Sequence, residues 1–130
     1  MYIKIYDKNS GFHDAIIRLT PGEVCIFSIT LNSETHEFSG PHFFSCLKKA
    51  RCVFEKKEML ILCVGSLKNA CVSGMSMGMS GGRMAYIVEL GRHSSRECLR
   101  DIFEPIDLHE YSTVEEQESF IEQWYSMPKI

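Results

Sequence analysis

Between Gly65 and Arg83 the chain carries Gly74, Gly78, Gly81 and Gly82, with Ser66, Ser73, Ser76 and Ser80 among them. Glycine opens backbone conformations closed to other residues, so this density argues against helix and against regular strand in the middle of the sequence. Regular structure must therefore lie on either side of it. Three methionines, Met75, Met77 and Met79, alternate with small residues there, and thioethers adapt to irregular surfaces. A loop of this length inside a small protein is a place to look for function. A phosphate-binding loop needs Lys followed by Ser or Thr directly after its last glycine. Gly82 is followed by Arg83 and Met84. A dinucleotide fingerprint needs a helix after its glycines, whereas RMAYIVEL (83–90) has a strand pattern.

The 130 residues suffice for a single domain with one core, expected to span 1–130. Apolar content of 45% and charged content of 24% are those of a soluble globular chain. The opening MYIKIYDKNSG has no apolar run of signal-peptide length, and no run approaches a membrane span, so a cytoplasmic protein is expected. Cys25, Cys46, Cys52, Cys63, Cys71 and Cys98 include no C-x-x-C pair and no zinc spacing. Four of them sit in apolar runs, as buried thiols do, and reduced cysteines are expected. His13, His36, His42, His93 and His109 are scattered singly. No metal, no cofactor and no catalytic residue is expected from these patterns.

Taken in order, MYIKIY (1–6) alternates as a strand, DKNSG (7–11) is turn chemistry, and HDAIIRL (13–19) suits a short strand. After the turn TPGE (20–23), VCIFSITL (24–31) is apolar and β-branched enough for a strand. NSETHEFSG (32–40) reads as polar loop with room for a short strand at its centre. Pro41 stands where a first helical residue is expected. Phe43, Leu47, Ala50 and Phe54 then recur at intervals of four, three and four, widened by Cys46 and Val53, which predicts a helix over 42–57. Lys48, Lys49, Arg51, Lys56 and Lys57 fall largely off that stripe and read as its solvated face. MLILCVG (59–65) predicts a buried strand. RECLRDIF (96–103) predicts a hairpin partner for 83–90, ended by Pro105. Thr113 with Glu116 forms a capping box, opening a helix (113–126 with its cap) that turns Phe120, Ile121 and Trp124 inward until Met127-Pro128. The fold class predicted is α+β: a mainly antiparallel sheet of five or six strands with helices 42–57 and 113–126 packed on it.

Charge is distributed unevenly. Residues 101–122 hold Asp101, Glu104, Asp107, Glu110, Glu115, Glu116, Glu118 and Glu122 and no Lys or Arg, within a chain of net charge −3. Carboxylates at a helix N-terminus account for Glu115 and Glu116. Asp101, Glu104, Asp107 and Glu110 precede the helix and suit a surface that steers a basic partner. Nothing in the spacing sets two of them across a cleft for acid–base chemistry.

The run Asn69-Ala70-Cys71-Val72-Ser73-Gly74-Met75, then Met79-Ser80-Gly81-Gly82-Arg83-Met84-Ala85-Tyr86, Asp101-Ile102-Phe103-Glu104-Pro105 and Thr113-Val114-Glu115-Glu116-Gln117 with Trp124, resembles small bacterial immunity proteins of polymorphic toxin systems, of which contact-dependent growth inhibition is one. The resemblance covers about half the chain. It implies a cytoplasmic, non-enzymatic protein that binds and blocks a cognate toxin domain, commonly a nuclease. A nuclease is basic where it grips phosphates, which an acidic surface can cover. Asp101, Glu104, Asp107 and Glu110, with Met75, Met77 and Met79, are the expected contacts. The competing expectation is a small ligand- or nucleotide-binding enzyme using loop 65–83.

Overall fold

The computed structural model describes residues 1–72 and 81–129. Its main sheet is built from β1 (Tyr2–Asp7), β2 (Gly11–Thr20), β3 (Cys25–Leu31), β4 (Glu34–Gly40) and β5 (Met59–Leu62). The order is β4-β3-β2-β1-β5, and every neighbour is antiparallel. Alternation does the sorting. Ile3 and Ile5 of β1, Ala15 and Ile17 of β2, and Cys25, Phe27 and Ile29 of β3 are buried on one face. Helix α1 (Phe43–Lys56) covers that face with Phe43, Phe44, Cys46, Leu47, Ala50 and Phe54.

The fold is α+β, with five strands in the main sheet. The second half of the chain does not extend that sheet but forms its own. β6 (Ala70–Cys71), β7 (Met84–Ile87) and β8 (Leu99–Asp101) pair antiparallel in the order β6-β7-β8. Helix α2 (Val114–Ser126) packs beside it, with Trp124, Tyr86, Val88 and Cys71 as a second apolar cluster. The two sheets meet along residues 62–66 and 102–105. There Val64 N–H donates to Glu104 O and Gly65 N–H to Ile102 O, both at 2.8 Å, and Cys63 bridges to Pro105. Among the described residues no helix is long and apolar enough to cross a membrane.

Several boundaries differ from the sequence expectation. Residues 32–40 are a hairpin and a full strand, because Asn32 and Ser33 both take positive φ (52° and 66°) and return β4 onto β3 in register Leu31↔Glu34. Pro41 stands one residue before the cap, not at the first helical position. His42 caps α1, its Nδ1 accepting from Ser45 N–H at 3.2 Å. The strand at 59–65 ends at Leu62 and continues as a 3-10 turn, Val64–Ser66. Strand 83–90 narrows to Met84–Ile87, and its partner begins with a turn before β8. Helix α2 follows the expected course: Thr113 Oγ1 accepts from Glu116 N–H (3.1 Å), and Glu116 Oε1 accepts from Thr113 N–H (2.8 Å).

Candidate partner-binding site

Residues of α1, α2 and β6 line an open groove of about 840 Å³. Its floor is apolar: Phe44, Ala70, Cys71, Val72, Ile121 and Tyr125. One wall is acidic. Glu115, Glu118 and Glu122 recur at i, i+3 and i+7 on α2, which places them in one row, and Glu118 and Glu122 line the groove itself. The opposite wall carries Lys48 and Lys49, both turned to their own chain. Lys49 Nζ donates to Ser39 O at 2.6 Å, and Lys48 Nζ lies 5.6 Å from the Phe44 ring centre.

The two walls are held at a fixed distance by a buried polar knot that no sequence pattern announces. Arg51 lies one turn after Leu47, on the edge of the apolar stripe of α1, and is 1% exposed, whereas Lys48 is half-buried and Lys49 exposed. Its Nη1 donates to Gly65 O (3.1 Å) and Gln117 Oε1 (2.8 Å), its Nη2 donates to Ser112 O, and its guanidinium covers the Tyr111 ring. Gln117 completes the tie by donating from Nε2 to Gly65 O and Leu67 O at 2.9 and 2.7 Å. Glu55 accepts from Tyr111 Oη–H and from Val114 N–H, so it seats the first turn of α2 on α1. Burial pushes the Tyr111 phenol well above its ordinary range, so it donates at every ordinary pH. Unpaired buried charge is costly; here the partners come from α1, the 64–66 turn and α2 together.

Gly81 and Gly82 lie against the start of α1. Gly81 O accepts from Phe43 N–H at 2.7 Å. Gly82 has φ +81°, and a Cβ there would stand 2.7 Å from His42 Cβ and 2.9 Å from its Nδ1. Only glycine lets the chain pass this close to the cap. Burial, with Lys48 adding to it, pulls the His42 imidazole below its ordinary value, which keeps Nδ1 free to accept.

The predicted acidic contacts divide into two groups. Asp101 is occupied internally: it pairs with Arg83 Nε at 2.9 Å and accepts from Phe103 N–H at 2.9 Å. Glu104 pairs with Arg100 at 3.2 Å. Asp107 and Glu110 are exposed and flank one turn, where Glu110 Oε1 accepts from Asp107 N–H at 3.0 Å. Met75, Met77 and Met79 lie outside the described residues. In the groove, Cys71 Sγ is 3.6 Å from Tyr125 Oη, and burial raises its pKa, which opposes a thiolate nucleophile. All six cysteines are free, with Cys52 and Cys98 exposed. Among the described residues no three His, Cys, Asp or Glu side chains are grouped as a metal site. No protein-family model matches this chain, and no curated protein matches it.

Proposed function

We propose that this chain is a cytoplasmic immunity protein that binds a basic toxin domain, a nuclease, and blocks its nucleic-acid-binding surface. The observation that carries the reading is the α2 wall: a row of exposed carboxylates beside an apolar groove, in a span, 101–122, without Lys or Arg. Asp107 and Glu110, exposed on the turn before α2, add to the negative charge of the same span. Such a surface attracts a phosphate-binding protein from a distance and then excludes water along the groove floor. Asp101 and Glu104 move to the margin of this proposal because Arg83 and Arg100 already neutralise them.

The test is coexpression of this chain in a bacterial host with the product of the gene upstream of it, followed by binding kinetics at two salt concentrations. Growth should be restored by the wild type. Glu118→Lys with Glu122→Lys should slow association about tenfold at low salt and flatten its salt dependence, as removal of steering charges does. Absence of binding to the upstream product at either salt overturns the reading. A second reading, a ligand-binding domain without inhibitory role, is favoured by the groove volume, which lies within the roughly 300–1,000 Å³ of small-molecule sites. A thermal shift with a small apolar ligand, undiminished in the double reversal, would support it instead.

A further inference from the structure

The outer face of the main sheet over β1 and β2, opposite α1, takes no part in the proposed toxin contact. It carries exposed apolar side chains there. Tyr2, Phe12 and Ile16 are 71%, 58% and 49% exposed, values unusual for large apolar side chains grouped on one surface. Tyr6 lies beside Phe12, with ring centres 5.0 Å apart. Between the two apolar groups sits one ion pair, Lys4 Nζ to Asp14 Oδ1 at 2.9 Å.

The register gives this patch a symmetry. Across the β1–β2 ladder the outward residues pair as Tyr2↔Ile16, Lys4↔Asp14 and Tyr6↔Phe12. Consider a two-fold axis parallel to these strands and midway between them, with a second sheet stacked about 10 Å away as in aligned sheet packing. That operation lays β1 of one copy over β2 of the other. Tyr2 then faces Ile16 of the second copy, Lys4 faces Asp14, and Tyr6 faces Phe12, each contact occurring twice. Apolar meets apolar, and every charge gains a second neighbour of opposite sign. An isologous interface needs this self-complementarity. A partner of one net sign would instead set a like charge against either Lys4 or Asp14.

We propose that a second copy of this chain docks on the outer face of the main sheet through β1 and β2, related by that two-fold axis. The six residues named are fewer than the roughly 20–30 a side of a standard stable interface. The dimer is therefore reversible and concentration-dependent. It leaves the α1–α2 groove free and does not depend on the toxin-binding reading.

The test is sedimentation equilibrium of the purified full chain over a wide concentration range, with circular dichroism as the folding control. The wild type should move from monomer towards twice the monomer mass. Lys4→Glu leaves four carboxylates at the centre of the dimer and Asp14→Lys leaves four ammonium groups, so each variant alone should be monomeric. Both residues are exposed, so both variants should keep the wild-type spectrum. Mixed in equal amounts, they should associate at least about tenfold more tightly than either alone, because each face now carries the opposite sign. Ile16→Asp should be monomeric and unrescued by either. A wild type that remains monomeric throughout overturns the proposal. So does a dimer unaffected by the single charge reversals, or a mixture no heavier than its components.

Discussion

Arg51 shows how much a single side chain can decide and how little its neighbours reveal it. It follows Lys48, Lys49 and Ala50 in a basic run, and polarity alone assigns it to the solvated face. The signal that could have found it is geometric, since it lies four residues after buried Leu47 and three before buried Phe54. Gln117 was equally hidden, set among glutamates in α2. Truncating Arg51 to Met should cost about 1–3 kcal/mol for each acceptor, Ser112 O and Gln117 Oε1, that loses its donor in a buried setting. Arg51→Met combined with Gln117→Leu should cost less than the sum of the two single changes, as residues of one network do not act independently. Urea unfolding of the three variants measures this, and strict additivity would count against a coupled knot. His42 gives a pH signature. Its folded pKa is lowered by burial and by Lys48, so the unfolded chain binds its proton first as pH falls. The contribution is present above the ordinary histidine value, 6.5, and is lost as pH drops through the lowered folded value. Wild type should therefore lose stability relative to His42→Asn, which keeps a cap acceptor without titrating, as pH falls below 6.5. Parallel pH profiles for the two proteins would remove His42 from this role.

At the scale of elements, legibility followed apolar periodicity. Helix α1, the α2 capping box and strands β1 to β3 carry their burial pattern in the sequence, and the structure has each of them, with β2 longer (Gly11–Thr20) than the short strand expected over 13–19. β4 does not. Of its three inward positions, His36, Phe38 and Gly40, only one is a large apolar residue, and β3 supplies the rest of the contact through Phe27 and Ile29. Its turn was also disguised, since Asn32-Ser33 takes the left-handed conformations usually signalled by Asn-Gly. Serine pays for this with a Cβ in the left-handed region. Ser33→Gly should stabilise the protein by about 1 kcal/mol, the order of that penalty less the greater freedom of glycine when unfolded. A lower urea midpoint for this variant would show that Ser33 contributes something the turn geometry does not contain. The small sheet was only half legible for a different reason: β6 has two residues and β8 three, too short for an alternating pattern to register.

For the molecule as a whole, the groove was illegible because α1, β6 and α2 line it together, and no local pattern encodes how they meet. The acidic bias of 101–122 was legible, but not its division into neutralised and free carboxylates. That division is testable. Asp101→Asn should lower stability by about 1 kcal/mol or less, through the weakened hold on Arg83, and leave association rates with the proposed partner within twofold. Reversal of Glu118 and Glu122 should do the opposite. Equal effects of both on the association rate would merge the two groups again. The graded burial of the cysteines has a consequence of another kind: the chain carries its own chemical clock. Alkylation needs a thiolate in contact with reagent. Cys52 and Cys98 are exposed and should be modified within the first seconds to minutes. Cys71, at the groove and held up by burial, should follow as α2 lifts. Cys63 is buried between the two sheets with its pKa raised to about 11, and should wait for the whole chain to open. Mass spectrometry of a timed iodoacetamide series would then count openings of increasing size. Simultaneous labelling of Cys71 and Cys63 would mean that α2 never leaves the body of the protein without unfolding it.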